Sequence, residues 1–471
     1  MFHAMPFRLG AIVAAMSLLS SAHALAAGAN AYEQTILVAN DAKYNPTVMV
    51  DPYLVNPWGI ALRPPGAGGH IWTSNAGTGT TTTYIGDVYR PVNGGAAIPM
   101  YQDGLKAVPI VTSAYDQMPY ETGADGVAQV TGQVYNAASD FAGQPTEFFV
   151  SGPAINNSNG SSAGIDAGSA KFIFVTLDGT INAWRTKTDP GMLEAVVIKD
   201  YSMDPAIVPG TQTPGTRRSS FTGVAMTVDH WTTDGNGNAV ADNRLYVSDF
   251  SNGRVLTFDN QWNDISASTP FARPADLTEV WMPFNIQVLS DDRIYVAWAE
   301  NSLEIDEPSE EVPGPGKGRI VAYDRDGNML QDYSSHANLN APWGMAIAPE
   351  NWGAFGGALL VANFGDGTIA AYDVDSGAGL GLLKYADGNV ISIDGIWGLT
   401  FGNGWSLGDA DSLYFTAGSL EESEGVLGRL IVAAAPVPEA DSWAMLLCGL
   451  GLVGAVVTRR NRIQRNERKV A

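Results

Sequence analysis

Apolar residues along this chain come in short runs separated by Asp-Gly and Asn-Gly turns, and they almost never follow the 3.6-residue spacing of an amphipathic helix. The clearest unit is Arg244-Leu245-Tyr246-Val247-Ser248-Asp249, a turn at Asn252-Gly253, then Arg254-Val255-Leu256-Thr257-Phe258-Asp259. A second copy starts at Leu359-Leu360-Val361-Ala362-Asn363 and turns at Asp366-Gly367. Similar strands begin at His70, Lys171, Arg293 and Ser412, giving six. Each has an upstream companion, beginning at Asn56, Val130, Phe221, Pro283, Pro342 and Ile396. Ile294-Tyr295-Val296-Ala297-Trp298 is apolar at every position, so both of its faces must be covered, whereas a strand with one solvated face would alternate.

Six strand pairs at a period of roughly 45–50 residues predict a β-propeller, whose blades stack face to face around a common centre. The predicted fold class is all-β: a six-bladed propeller over residues 32–435. Closure is expected from pairing of a strand at 35–39 with one at 429–433 in the same terminal blade, which hides the edges of the ring. Residues 91–125 show no repeat register, residues 155–168 read as a Ser, Asn and Gly-rich loop, and residues 300–317 read as an acidic, Pro-rich insertion.

The unit resembles the NHL repeat in its Pro-x-Gly start, its Leu-Tyr-Val-x-Asp strand and its Asn-x-Arg turn. Leu54-Val55-Asn56-Pro57-Trp58-Gly59, Phe172-Ile173-Phe174-Val175-Thr176-Leu177-Asp178-Gly179, Asn340-Ala341-Pro342-Trp343-Gly344 and Ile393-Asp394-Gly395-Ile396-Trp397-Gly398 carry a closer likeness. Through them the chain is similar to an uncharacterised family of exported, propeller-like proteins associated with PEP-CTERM signals. That resemblance implies a fold and an address, but no reaction.

Both ends bear on the address. Arg8, an apolar run over residues 9–19 and the small residues before Ala24 and Ala26 have the layout of a secretory signal peptide, cleaved after Ala24 or Ala26, so that residues 1–26 are removed. At the other end residues 442–457 are apolar, and Arg459, Arg460 and further basic residues follow, as in a stop-transfer segment. A transmembrane helix is expected there, within a sorting segment at 436–471. Val437, Pro438, Glu439 and Trp443 together with Arg459 and Arg460 resemble the PEP-CTERM sorting motif, with Ala440 where the pattern has a second Pro. The resemblance implies an exosortase-type processing protease as a partner, with membrane attachment before processing and the cell surface afterwards.

Composition sharpens the picture at two points. The single cysteine, Cys448, lies in the C-terminal apolar segment, so the propeller is held by packing without internal disulfides. The chain has 26 basic and 49 acidic residues, and both terminal segments are net basic, so the central portion is strongly acidic. Such a surface repels phosphate backbones and excludes nucleic acid as a partner class.

Candidate chemistry centres on the starts of the inner strands. Asn56, Trp58, Asn285, Trp343, Asp394 and Trp397 sit where the chain enters a blade near the axis, and propellers collect loops at a channel mouth. Tryptophans with Asn and Asp suit a glycan, whereas the competing reading makes the tryptophans wedges between blades. Asp234, Asn236, Asn238 and Asp242 have the one, three, five and nine spacing of a calcium loop, but lack its glycine and its final glutamate. No catalytic residue is identifiable and no cofactor is assigned, with calcium the one candidate ion. Two functions follow: a non-catalytic binding module for an extracellular polysaccharide or surface protein, or a calcium-dependent hydrolase or lyase working at the central channel.

Overall fold

The strands with two apolar faces become the second strands of six blades in a computed structural model of the chain. The structure describes residues 29–113, 126–137, 146–155, 162–186, 191–202, 218–228, 230–233, 239–304, 309–333, 338–434 and 450–460. Ile71–Asn75, Phe172–Thr176, Leu359–Asn363 and Leu413–Ala417 are buried at every position. Ile294–Glu300 is buried except at Glu300, and Arg244–Asp249 except at Arg244. The fourth strands, such as Met329–Tyr333 and Gly379–Leu382, lie at the rim and are largely open to solvent.

Each blade is built on an antiparallel meander, and in the sixth Met49–Val50 adds a parallel strand beside Tyr32–Ala39. The innermost strand of each blade is, in chain order, Pro57–Ala61, Val130–Tyr135, Phe221–Met226, Trp281–Val288, Pro342–Ile347 or Ile396–Phe401. These are the six upstream companions expected from the sequence. Each contacts the next, and the last contacts the first, which closes the ring. The third blade has three described strands, and the other blades have four or five.

Closure takes the predicted form. Tyr32–Ala39 pairs antiparallel with Val426–Val432 in the sixth blade, from Tyr32 opposite Val432 to Ala39 opposite Val426. A buried polar cluster then ties that blade to the first. The carboxylate of Asp87 accepts Arg429 Nη1 at 2.7 Å on both oxygens and the Tyr414 hydroxyl at 2.6 Å. Burial, and next the Asp87 charge, push the Tyr414 hydroxyl well above the ordinary phenol range.

Two segments depart from expectation. The loop read over residues 155–168 is strand where it is described, Phe149–Ile155 pairing with Ser162–Ser169, while residues 156–161 lie outside the described residues. Its composition misled because the hairpin lies outside the six blade sheets. Ile165 is exposed, while the buried polar Asp166 is satisfied by Arg185 at 2.9 Å. The second departure is the membrane span. Among the described residues no helix is long and apolar enough to cross a membrane. The described part of the C-terminal helix covers 450–460. The described stretch includes Arg459 and Arg460, with Leu450, Leu452, Val453, Val456 and Val457 all exposed, and the first half of the expected span, 442–449, lies outside the described residues. Residues 27–432 form one compact unit.

Candidate functional site

All six inner strands break register near their start, where a bulge turns one side chain toward the axis. At this position the blades carry Trp58, Thr131, Thr222, Phe284, Trp343 and Trp397. The four aromatics meet. Trp58 stacks on Trp397 at 3.6 Å, and Trp343 stands edge-on to each of them at 5.8 Å. Phe284 closes the group at 6.3 Å from Trp58 and 6.0 Å from Trp397. Phe364 stacks on Trp397 at 4.0 Å. Backbones crowd beside this plug. A Cβ on Gly344 would lie 2.2 Å from the Trp397 carbonyl oxygen, and one on Gly398 would lie 2.6 Å from that of Trp58. Only glycine permits this approach.

The six residues singled out in the sequence all lie at or next to the plug. Trp58, Trp343 and Trp397 are buried and packed on one another, the arrangement of the wedge reading. Trp343 Nε1 donates to the Thr222 carbonyl at 3.0 Å, and Trp397 Nε1 to Asn56 Oδ1 at 3.1 Å. Asn56 adopts a left-handed backbone (φ 46°), which asparagine tolerates better than most residues, and its Nδ2 donates to Glu422 Oε2 at 2.6 Å. Asn285 stands where the other five blades have the plug glycine, and its Nδ2 reaches the Trp343 carbonyl at 2.7 Å. Asp394 Oδ2 accepts the Leu420 N–H at 3.0 Å. The chain then makes a left-handed turn through Leu420, Glu421 and Glu422 (φ 53°, 50° and 64°). Burial pushes the Glu311 carboxyl up to about 8, with Glu310 and Glu422 adding to the effect, and burial also raises Glu422.

At the opposite end the same six strands splay. A chamber of about 570 Å³ opens there, lined by every inner strand. Its wall is aliphatic, with Ile60, Leu62, Val134, Met226, Val288 and Ile347 among the lining residues. Gln133 and Gln287 are the amides in the lining, and Arg63 and Asp292 are its charged groups, both beyond the strand ends. Gln133 Nε2 donates to the carbonyls of Gly59 (3.1 Å) and Trp72 (2.6 Å). Gln287 Oε1 accepts the Met345 N–H at 2.7 Å. The long connections after the second and third inner strands leave from this end, because each inner strand runs from plug to chamber. For the same reason the insertion after Glu300 lies at the plug end. The two glutamines had a signal in the sequence: when the repeats are aligned, an amide stands where the sister strands carry Ile, Val, Met, Leu, Ala or Thr.

Among the described residues no group of three or more His, Cys, Asp or Glu side chains is placed to hold a metal ion. Of the candidate calcium loop, Asp234, Asn236 and Asn238 lie outside the described residues, and Asp242 is paired with Arg325 at 2.9 Å. Asn56, Asn285 and Asp394 each serve a different neighbour, as described above. His70 pairs with Asp103 at 3.0 Å. Ala24, Ala26, Val437, Pro438, Glu439 and Trp443 lie outside the described residues, while Arg459 and Arg460 lie in the described part of the C-terminal helix.

No known protein-family profile matches the chain. The chain is similar to uncharacterised proteins of Acanthamoeba polyphaga mimivirus. One is 26% identical over 399 residues, covering 84% of this chain and 78% of the viral protein. Another is 32% identical over 200 residues, 41% of this chain and 50% of the relative, and a third is 28% identical over 247 residues, 50% of this chain and 39% of the relative. The chain thus spans half or less of the length of these last two. Among solved structures, a glucose dehydrogenase is 14% identical at a TM-score of 0.42, covering 86% of this chain and all of that one. An α-L-arabinanase of Penicillium chrysogenum is 10% identical at 0.41, covering 84% and 97%. A catalytically inactive virginiamycin B lyase of Staphylococcus aureus is 12% identical at 0.37, covering 85% and 100%.

Proposed function

We propose that the protein is an exported binding propeller that holds its ligand or partner in the chamber opposite the tryptophan plug. One observation carries this reading. All six blades contribute to a single concavity of about 570 Å³, apolar in its walls and furnished with a few fixed amides, within the size and character of ligand pockets generally. The plug supports it from the other side, because a channel closed at one end presents one mouth. Export rests on the N-terminal signal layout and on the C-terminal motif from Val437 to Arg460, which suit release to the surface by an exosortase-type protease. On this reading a surface glycan or surface protein is the partner class outside the cell, and a calcium-dependent hydrolase or lyase is the alternative.

Two measurements test the proposal. The intact mass of the protein recovered from the surface of an exosortase-bearing host should show loss of residues 1–24 or 1–26 and a cut near Glu439. Full-length protein confined to the cytoplasm would overturn the address. A thermal-shift screen with polysaccharide fragments, small metabolites and calcium should give stabilisation by an organic ligand without calcium. Stabilisation by calcium alone, joined to hydrolysis of a screened polymer, would instead support the enzyme.

A further inference from the structure

The chamber wall has a second kind of surface beside its aliphatic side chains. Every inner strand has a hydrogen-bonded neighbour on one side only, so its other edge turns backbone N–H and C=O groups toward the channel. At two of the six junctions between blades the protein covers these groups with carboxamides. Gln133 donates to the Gly59 carbonyl, Asn285 donates to the Trp343 carbonyl, and Gln287 accepts the Met345 N–H. Nearer the plug other groups do the same for inner-strand carbonyls: Thr131 Oγ1 donates to that of Phe221 at 2.6 Å, Thr416 Oγ1 to that of Trp58 at 2.6 Å and Trp343 Nε1 to that of Thr222 at 3.0 Å. Gln287 Nε2 hydrogen-bonds to none of the described residues, and Gln287 lines both the chamber and a narrow recess of about 20 Å³ that also touches Asn285 and Trp343.

We propose that the chamber binds a small uncharged molecule in which a secondary amide is flanked by apolar groups, of the size of a blocked dipeptide. This rests on the reading of the chamber as the binding site. The aliphatic wall favours apolar groups, and an amide supplies the donor and acceptor that the strand edges and Gln287 Nε2 can meet. The charged lining groups, Arg63 and Asp292, oppose each other in sign and stand at the rim, so an ion deep in the chamber has no counter-charge. A sugar carries hydroxyls on all sides and would leave most of them unsatisfied against Leu62, Val134, Met226 and Val288.

The test uses the methyl signals of methionine. Of the chain's 13 methionines, Met226 and Met345 line the chamber, whereas Met282 packs in the plug cluster. The protein labelled at methionine methyl carbons is titrated with N-acetyl-leucyl-leucine N-methylamide and, separately, with maltotriose. Met226→Leu, Met345→Leu and Met282→Leu assign the three signals. The blocked dipeptide should shift Met226 and Met345 saturably and leave Met282 in place, and Thr400→Trp, which narrows the chamber, should weaken it about tenfold or more. An unshifted Met282 signal in that variant shows that the ring is intact. Maltotriose binding as tightly as the dipeptide at Met226 and Met345, or in its place, would overturn the amide assignment and keep the chamber. Neither probe moving these signals would overturn both.

Discussion

The two ends of the channel are built from the same six strands, yet one is filled and the other is hollow. At the plug, a bulge in every strand turns a side chain to the axis, four of the six are aromatic, and glycines beside them let the backbones close to contact. A few residues further along, the side chains are aliphatic or amide, the strands diverge, and about 570 Å³ remains. The difference teaches that ring closure and ligand space are separable tasks within one repeat. The large aromatics at the first position stabilise the assembly, and the residues that follow are released from that task.

The comparison breaks most directly at the plug. Trp397→Ala removes a buried indole stacked on both Trp58 and Phe364, and should cost about 3–5 kcal/mol in chemical denaturation. A loss below about 1 kcal/mol would mean that the plug is not what holds the ring. Gly344→Ala forces a methyl against the Trp397 carbonyl, 2.2 Å from its ideal position, so neighbouring blades must part; a loss of about 1–3 kcal/mol is expected in the same assay. Ile347→Ala at the chamber is the matched control. That side chain is already partly exposed, so its loss should cost about 1 kcal/mol, well below the plug variants.

The smallest effect depends on pH. The Glu311 carboxyl is raised from its ordinary 4.5 to about 8 by burial, and Glu422 moves in the same direction. Both therefore take up protons on folding, so the stability they confer is full at low pH and is lost as the pH rises from 4.5 toward 8. Glu311→Gln should flatten that decline and leave the protein more stable than wild type above pH 8, by about 1 kcal/mol in thermal melts across the range. A steeper decline in the variant would contradict the raised value.

Much of the ring was legible because it repeats. Pro57-Trp58-Gly59, Pro342-Trp343-Gly344 and Ile396-Trp397-Gly398 announced the inner strands, and runs such as Ile294–Trp298, apolar at every position, announced burial on both faces. The closing pair was legible because an orphan strand at one end needed a partner at the other. The site was legible only in part. Whether Trp58 and Trp397 face a ligand or each other depends on how segments hundreds of residues apart converge, and no local pattern encodes that. Gln133 and Gln287 looked like ordinary polar residues until the neighbouring strand edges were in view. The Ser162–Ser169 strand was hidden because a hairpin outside the blade sheets needs no apolar run.

The account depends most on the axis being sealed at one end and hollow at the other. Crystals of the protein pressurised with xenon test this directly, because xenon fills dry apolar space without needing a chemical match. The account predicts xenon in the chamber bounded by Gln287, Met345 and Leu399, and none between Trp58, Trp343 and Trp397. Xenon or ordered water threading between those tryptophans, or side chains filling the chamber, would contradict it.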